Sequence, residues 1–257
     1  MKQPNVIKVI CHDIGKHLGC YGVKSVSTDA IDALARNGIL FENFFATSPG
    51  CSPSRAAIAT GMYPHNTGVL GLAHAHFGWS LDKKIKHIAK YFSSNNYNSI
   101  LFGLQHVTYH EEKLGFNKIF PERPADHVIK NFKDNINTNL FKKPFYAEVN
   151  FFEPHRPFDY GNVKPFRSKG VFVPKYIPNN HHSRKEFASM QGAIKKMDES
   201  VAKIINILKE KNLYQNTIII FTTDHGIPFP RAKGTLYDAG IESSLIISYP
   251  ILKLKNK

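Results

Sequence analysis

Thr217-Ile218-Ile219-Ile220-Phe221, followed by Thr222-Thr223-Asp224-His225, is the stretch that decides the fold. A run of β-branched and aromatic residues with no polar alternation suits a strand buried on both faces, the pattern of a parallel sheet. A carboxylate and an imidazole come just past its carboxyl end. The same order opens the chain, where Val6-Ile7 and Val9-Ile10 flank Lys8 and His12-Asp13 follows. It recurs where an extended run over 145–152 leads into Glu153-Pro154-His155-Arg156. Ligands of open α/β sheets bind beyond the carboxyl ends of the strands. Three separate segments therefore point to one site.

Helical patterns lie between these strands. Ser27 or Thr28 is placed to cap a helix bearing Ile31 and Leu34 and closed by Gly38. Residues 53–61 read as a short helix with Pro53 in its first turn. Residues 81–92 put Ile85, Ile88, Ala89 and Phe92 on one helical face. Over 183–212, Phe187, Met190, Ile194, Met197, Val201, Ile204, Ile205 and Leu208 trace a stripe that suits core packing better than cofactor contact. Residues 39–47, 99–102 and 244–249 read as extended. The pattern is weak over 111–143, and proline and lysine over 157–178 mark a surface excursion. Strands alternating with helices predict an α/β fold, a mostly parallel central sheet with helices on both faces. A length of 257 residues suits one domain spanning 1–257.

Composition narrows the function. No apolar run reaches the roughly 18–20 residues of a membrane helix, and the N-terminus lacks the pattern of a signal peptide. As written, the chain is expected to be soluble and cytoplasmic, or periplasmic or secreted if a leader is missing. The net charge of +14 fits a solvated lysine-rich surface or an attraction to polyanions. No zinc-finger spacing, RNA-binding signature or arginine-rich arm is present, so an anionic glycan is a better expected partner than nucleic acid. Three cysteines without paired spacing argue against a disulfide framework. Cys11 reads as core filler and Cys20, within Gly19-Cys20-Tyr21-Gly22, as a packed turn residue.

Cys51 stands apart. Ser48-Pro49-Gly50-Cys51-Ser52-Pro53-Ser54-Arg55 opens a helix, where unpaired N–H groups and the positive dipole end favour an anion. Arg55, one turn on, can reach the same anion. From these residues alone, Cys51 is either a reactive or a merely buried thiol.

The run Cys51-Ser52-Pro53-Ser54-Arg55, with Thr60-Gly61 and Tyr63-Pro64-His65-Asn66-Thr67-Gly68 after it, resembles the signature of the type I, formylglycine-dependent sulfatases of the alkaline-phosphatase-like superfamily. Asp13 with Leu18-Gly19-Cys20-Tyr21-Gly22, and Phe221-Thr222-Thr223-Asp224-His225-Gly226, resemble that family's metal blocks. Lys233-Gly234-Thr235-Leu236-Tyr237-Asp238-Ala239-Gly240 resembles its sulfate-contacting lysine segment. Glu153-Pro154-His155-Arg156 and Gly226-Ile227-Pro228-Phe229-Pro230 point within the family to the heparan N-sulfatase (sulfamidase) branch.

The resemblance implies that a separate maturation enzyme oxidises Cys51 to Cα-formylglycine. In the family, one hydroxyl of the hydrated aldehyde attacks sulfur and the other expels sulfate. By matched position, Asp13, Asp224, His225 and residue 51 hold a divalent metal, Ca2+ by family habit, with His12 as a further candidate. Arg55 holds the nucleophile. His106, His155 and Lys233 contact the sulfuryl group or protonate the leaving group. Arg156 and His65 are candidates for substrate binding, Arg156 equally for a structural salt bridge; His74 and His76 are neighbours without assigned roles. The implied reaction is hydrolysis of sulfate esters or sulfamates of a glycan of the N-sulfoglucosamine type. The alternatives are a phosphonate or phosphodiester hydrolase, and an inactive relative that at most binds anionic glycans.

Three departures from the family pattern stand out. His12 occupies the place of the first of two adjacent aspartates, which shifts the metal expectation toward Mn2+ or Zn2+. Leu104 stands two residues before His106, where the family has lysine; losing that charge costs about 2–4 kcal/mol of transition-state stabilisation. Family members are also about twice as long. The chain is thus expected to be an N-terminal catalytic domain without a C-terminal subdomain, its last strand near an unprotected edge.

Overall fold

The computed structural model describes residues 3–74, 76 and 78–252. Among the described residues seven strands form one sheet: β1 (Asn5–Cys11), β2 (Ile39–Phe41), β3 (Asn98–Gly103), β4 (Lys118–Phe120), β5 (Phe145–Asn150), β6 (Thr217–Thr223) and β7 (Leu245–Ser248), in the order β2-β7-β6-β1-β5-β3-β4. From β6 to β4 every pairing is parallel, whereas β7 runs antiparallel to β6 and to β2. The helices are α1 (Asp29–Arg36), α2 (Cys51–Thr60), α3 (Pro64–Thr67), α4 (Ile88–Ser94), α5 (Ala125–Asn135), α6 (His181–Glu210) and α7 (Asp238–Ile241).

Both sheet faces are covered, which is why the central strands show no regular polar alternation, Lys8 and Glu148 apart. Ile7, Val9, Ile219, Phe221, Ala147 and Val149 enter the main core with α1, α5 and α6. Val6, Tyr146, Ile218 and Ile220 point the other way and pack with Ala89, Ile88 and Phe92 of α4. On that second face Lys8 is buried at the centre of the sheet. It pairs in register with Glu148, Nζ to Oε1 at 2.9 Å. The Tyr146 hydroxyl donates to the same oxygen at 2.5 Å, and His87 Nε2 lies 3.7 Å from it.

Several local expectations are corrected. α2 begins at Cys51 rather than Pro53, because Gly50 is the extended N-cap (φ −134°) and Pro53 falls third in the first turn. The helix expected over 81–92 forms only from Ile88. The His87 imidazole accepts the Ala89 N–H at 3.1 Å and caps it there, while Leu81 packs with Ala56, Val69, Val107 and Leu114. Thr28 is the N-cap of α1 but makes no capping bond. Its hydroxyl accepts the Gly19 N–H at 2.9 Å and donates to Asp32. The region 111–143, unpatterned in sequence, holds β4 and α5, with Val128, Ile129 and Phe132 of α5 buried. The last strand, β7, lies one place in from the sheet edge, between β6 and β2. α6 starts at His181, fixed by a capping box between Asn180 and Ser183. No helix among the described residues is long and apolar enough to cross a membrane. The basic run 253–257 lies outside the described residues.

Candidate active site

The site gathers at the carboxyl ends of β1, β5 and β6 and at the first turn of α2. Beyond β1 the chain turns at Asp13 in a left-handed conformation (φ 54°), one that Asp tolerates better than most residues. Its backbone N–H donates to Asp224 Oδ1 at 3.0 Å, which ties the end of β1 to the end of β6. Asp224 is buried and accepts from several sides. Arg55 Nε donates to Oδ2 at 3.0 Å and the His225 N–H to Oδ1 at 3.0 Å. His12 Nδ1 also lies 3.0 Å from Oδ2, without the alignment of a hydrogen bond. Burial alone raises the Asp224 pKa, but His225, His12 and Arg55 outweigh it and hold the carboxyl well below its usual range.

Cys51 is the first residue of α2 and is buried. Its sulfur lies 3.2 Å from His225 Nε2 and 3.9 Å from Asp13 Oδ1. Burial first, then the charges of Asp224 and Asp13, push the thiol up to about 12 despite Lys233 and Arg55. At neutral pH it is therefore protonated and a poor nucleophile as it stands. Ser52 and Ser54 of the same turn anchor the neighbourhood. Ser52 Oγ accepts the Ala73 N–H at 3.0 Å, and Ser54 Oγ donates to the Asp224 carbonyl at 2.5 Å.

The donor set fits a divalent cation. His225 Nδ1 lies 2.9 Å from the Gly226 carbonyl, which can only accept, so Nδ1 donates outward and Nε2 is left to face the site. Nε2 faces Asp13 Oδ1 at 3.1 Å and Asp224 Oδ1 at 3.6 Å. Two carboxylates and a sulfur converging on one buried point call for positive charge between them. Ligand atoms of His12, Asp13, Cys51 and Asp224 lie within 4.8 Å of one another. Lys233 Nζ bonds both oxygens of Asp13 at 2.9 Å and balances part of the charge.

Beside this cluster lies a cavity of about 430 Å³ whose walls include His12, His74, Leu104, His106, Arg123 and His155. His106 takes a left-handed backbone (φ 64°). Gln105 braces its loop, accepting the Val107 N–H at 2.6 Å and donating to the Thr108 carbonyl at 2.6 Å. Burial, then His12 and Arg55, lowers the His106 pKa to about 2. His155 approaches from the β5 side, its Nε2 3.8 Å from Asp13 Oδ2. Leu104 offers an apolar side chain where a cation is expected, and its carbonyl accepts from Arg55 Nη1 at 3.4 Å.

The structure thus brings together His12, Asp13, Cys51, Arg55, His106, His155, Asp224, His225 and Lys233. It does not bring in two others. Arg156 pairs with Glu186 and stacks over Phe158 at 4.4 Å, which makes it a surface clasp. His65 is exposed in α3, stacked on Tyr63 at 5.9 Å. His74 reaches His106, with Nδ1 against Nε2, and His76 is exposed. The sequence reading missed Arg123, which stands in the stretch without recognisable pattern, and Gln105 and Ser54, whose roles are bracing ones that only contacts reveal.

A family model described as Sulfatase matches residues 4–257. Human N-sulphoglucosamine sulphohydrolase is 27% identical over 278 residues, an alignment that covers 96% of this chain and 55% of that protein. Among solved structures, one from work on glycosaminoglycan metabolism by Bacteroides thetaiotaomicron superposes with a TM-score of 0.80 at 19% identity, covering 97% of this chain and 68% of that one. A phosphonate monoester hydrolase of Agrobacterium radiobacter superposes with a TM-score of 0.76 at 21% identity, over 96% of this chain and 68% of that one. The chain spans about half the length of the curated relatives it matches.

Proposed function

This chain belongs to the sulfatase family, and on that premise we propose that it is a catalytic domain that hydrolyses sulfate esters or sulfamates of a glycan, with residue 51 matured to formylglycine. The observation that carries the proposal is the meeting of Cys51, at the first turn of α2, with Asp13, Asp224 and Nε2 of His225. Hydrated formylglycine supplies an oxygen nucleophile, and a divalent cation supplies charge to lower that oxygen's pKa. Asp13, Asp224 and His225 are the residues to hold the cation, with His12 beside them. Arg55 fixes Asp224 and keeps the base of the site positive. Lys233, salt-bridged to Asp13, and the N–H groups opening α2 face an incoming anion. His155, on the cavity wall, is placed to hand a proton to the leaving oxygen or nitrogen, and His106, which burial keeps neutral, to contact the sulfuryl group. The partners this requires are a sulfated glycan and a formylglycine-generating enzyme.

A second reading is a relative that binds anionic glycans without turnover. Leu104 favours it, since an apolar group fills a place that needs charge. Co-expression with a maturation enzyme, then assay of matched sulfated, sulfamated and phosphorylated chromogenic substrates, separates the readings. The proposal expects release from the sulfated or sulfamated substrate. Release only from the phosphorylated one would make the chain a phosphohydrolase, and release from none with the aldehyde present would leave the binding relative.

A further inference from the structure

A second set of donors shares Cys51. Its sulfur, one nitrogen of His12 and one nitrogen of His106 lie within 4.8 Å of one another, and all three residues are buried. Both nitrogens of His12 and Nδ1 of His106 have no hydrogen-bond partner among the described residues. His12 Nδ1 at least has the Asp224 carboxylate 3.0 Å away; buried polar atoms nearly always find a partner, so His12 Nε2 and His106 Nδ1, left bare in one place, need a reason. The other nitrogen of His106 is engaged, Nε2 meeting His74 Nδ1. Metal-binding imidazoles have this form, with one nitrogen anchored from outside and the other presented inward. The left-handed turn at His106 and the brace of Gln105 hold the ring there before any ligand arrives.

We propose that, while residue 51 is still a thiol, Cys51, His12 and His106 form a site for a borderline transition-metal ion of the Zn2+ type. Sulfur and imidazole nitrogen suit such an ion, whereas Ca2+ takes oxygen ligands. Bonds of about 2.0–2.3 Å to a central ion nearly close the observed spacing. Binding breaks the S–H bond of Cys51, forms a sulfur–metal bond and releases the proton to solvent. Three protein ligands leave a further position facing the cavity that His12 and His106 line. This site differs in chemistry from the carboxylate-rich position of Asp13, Asp224 and His225. Conversion of Cys51 to an aldehyde removes the sulfur and dismantles it, so a bound ion masks the very atom that maturation must oxidise. The inference goes beyond the hydrolase reading and does not depend on turnover.

The test uses the full chain with residue 51 as cysteine, stripped of metal and titrated with Co2+. Thiolate–cobalt complexes carry a charge-transfer band in the near ultraviolet. The expected result is such a band at one equivalent, displaced by Zn2+ and unmoved by excess Ca2+. Cys51→Ser abolishes it. His106→Asn, chosen because asparagine accepts left-handed backbone, weakens Co2+ binding by roughly 100-fold. X-ray absorption of the Zn2+-loaded wild-type chain, which needs no variant to fold, should show sulfur and imidazole scattering together. Absence of the band, a band that His106→Asn leaves unchanged, or zinc scattering from oxygen and one imidazole only would overturn the proposal.

Discussion

The buried pair of Lys8 and Glu148 allows a stability prediction that can be worked through. The two residues are cross-strand partners on β1 and β5, with side chains only 6% and 3% exposed. Burial alone raises the Glu148 pKa, but Lys8 and His87 outweigh it and bring the carboxyl from 4.5 down to about 2. A shift of that size corresponds to about 3 kcal/mol of folding free energy. The folded-state pKa is depressed, so this stability is fully present above pH 4.5 and is lost as pH falls through 2. Glu148→Gln removes the charge, keeps the volume and leaves the Lys8 ammonium buried without a counter-ion. The expected cost is about 3–5 kcal/mol, the range for breaking a buried pair from one side. Replacing both partners, Lys8→Met with Glu148→Leu, removes both desolvated charges and should be neutral or stabilising. Urea unfolding followed by circular dichroism at pH 7 measures all three. A loss below about 1 kcal/mol in Glu148→Gln, or a double variant no better than the single one, would refute the reasoning that the pair is a desolvated, mutually dependent unit.

Further predictions concern the site and its supports. Burial lowers the His17 pKa from 6.5 to about 4. The unfolded chain therefore takes up a proton before the folded one, and stability should fall by up to about 3 kcal/mol between those pH values. His17→Phe, packing between Phe172 and Phe187, should flatten that part of a thermal-melt pH profile. Phe187→Ala removes a buried ring stacked on Phe229 at 4.0 Å and should cost about 3–5 kcal/mol in urea unfolding. Because Phe229 belongs to the loop that leads to Lys233, hydrogen exchange in that loop should rise as well. Leu104→Lys restores a cation to the cavity wall and should raise kcat/KM on a sulfated substrate by about 100-fold in matured protein; an unchanged rate would show that another group already supplies the charge.

The parallel sheet was legible because β1, β5 and β6 are buried on both faces, so their apolar residues do not alternate with polar ones, Lys8 and Glu148 being the interruptions, and each run ends in polar residues. That same arrangement placed Asp13, His155, Asp224 and His225 near one another before any coordinates. α5 does carry a helical signal, since its buried positions Ala125, Val128, Ile129 and Phe132 fall at the i, i+3, i+4, i+7 spacing of an amphipathic helix, but the stripe is only about two turns long. Over 81–92 the spacing of Ile85 matches a helix that does not form there, because the His87 cap decides where α4 begins. Arg156 and His65 could not be placed from sequence. A guanidinium that stacks on Phe158 and one that grips a substrate look identical in a string of letters. The antiparallel setting of β7 between β6 and β2 follows from a connection whose direction no local pattern encodes.

The central claim is that Cys51 is the precursor of a catalytic aldehyde and not a thiol at work. The most direct measurement is the mass of the tryptic peptide bearing residue 51, from protein made in its own host. A peptide about 18 Da lighter than the cysteine form, the change for thiol-to-aldehyde conversion, is the predicted result. An intact thiol in all of the protein would contradict the claim and leave the chain, as produced, without the nucleophile of a sulfatase.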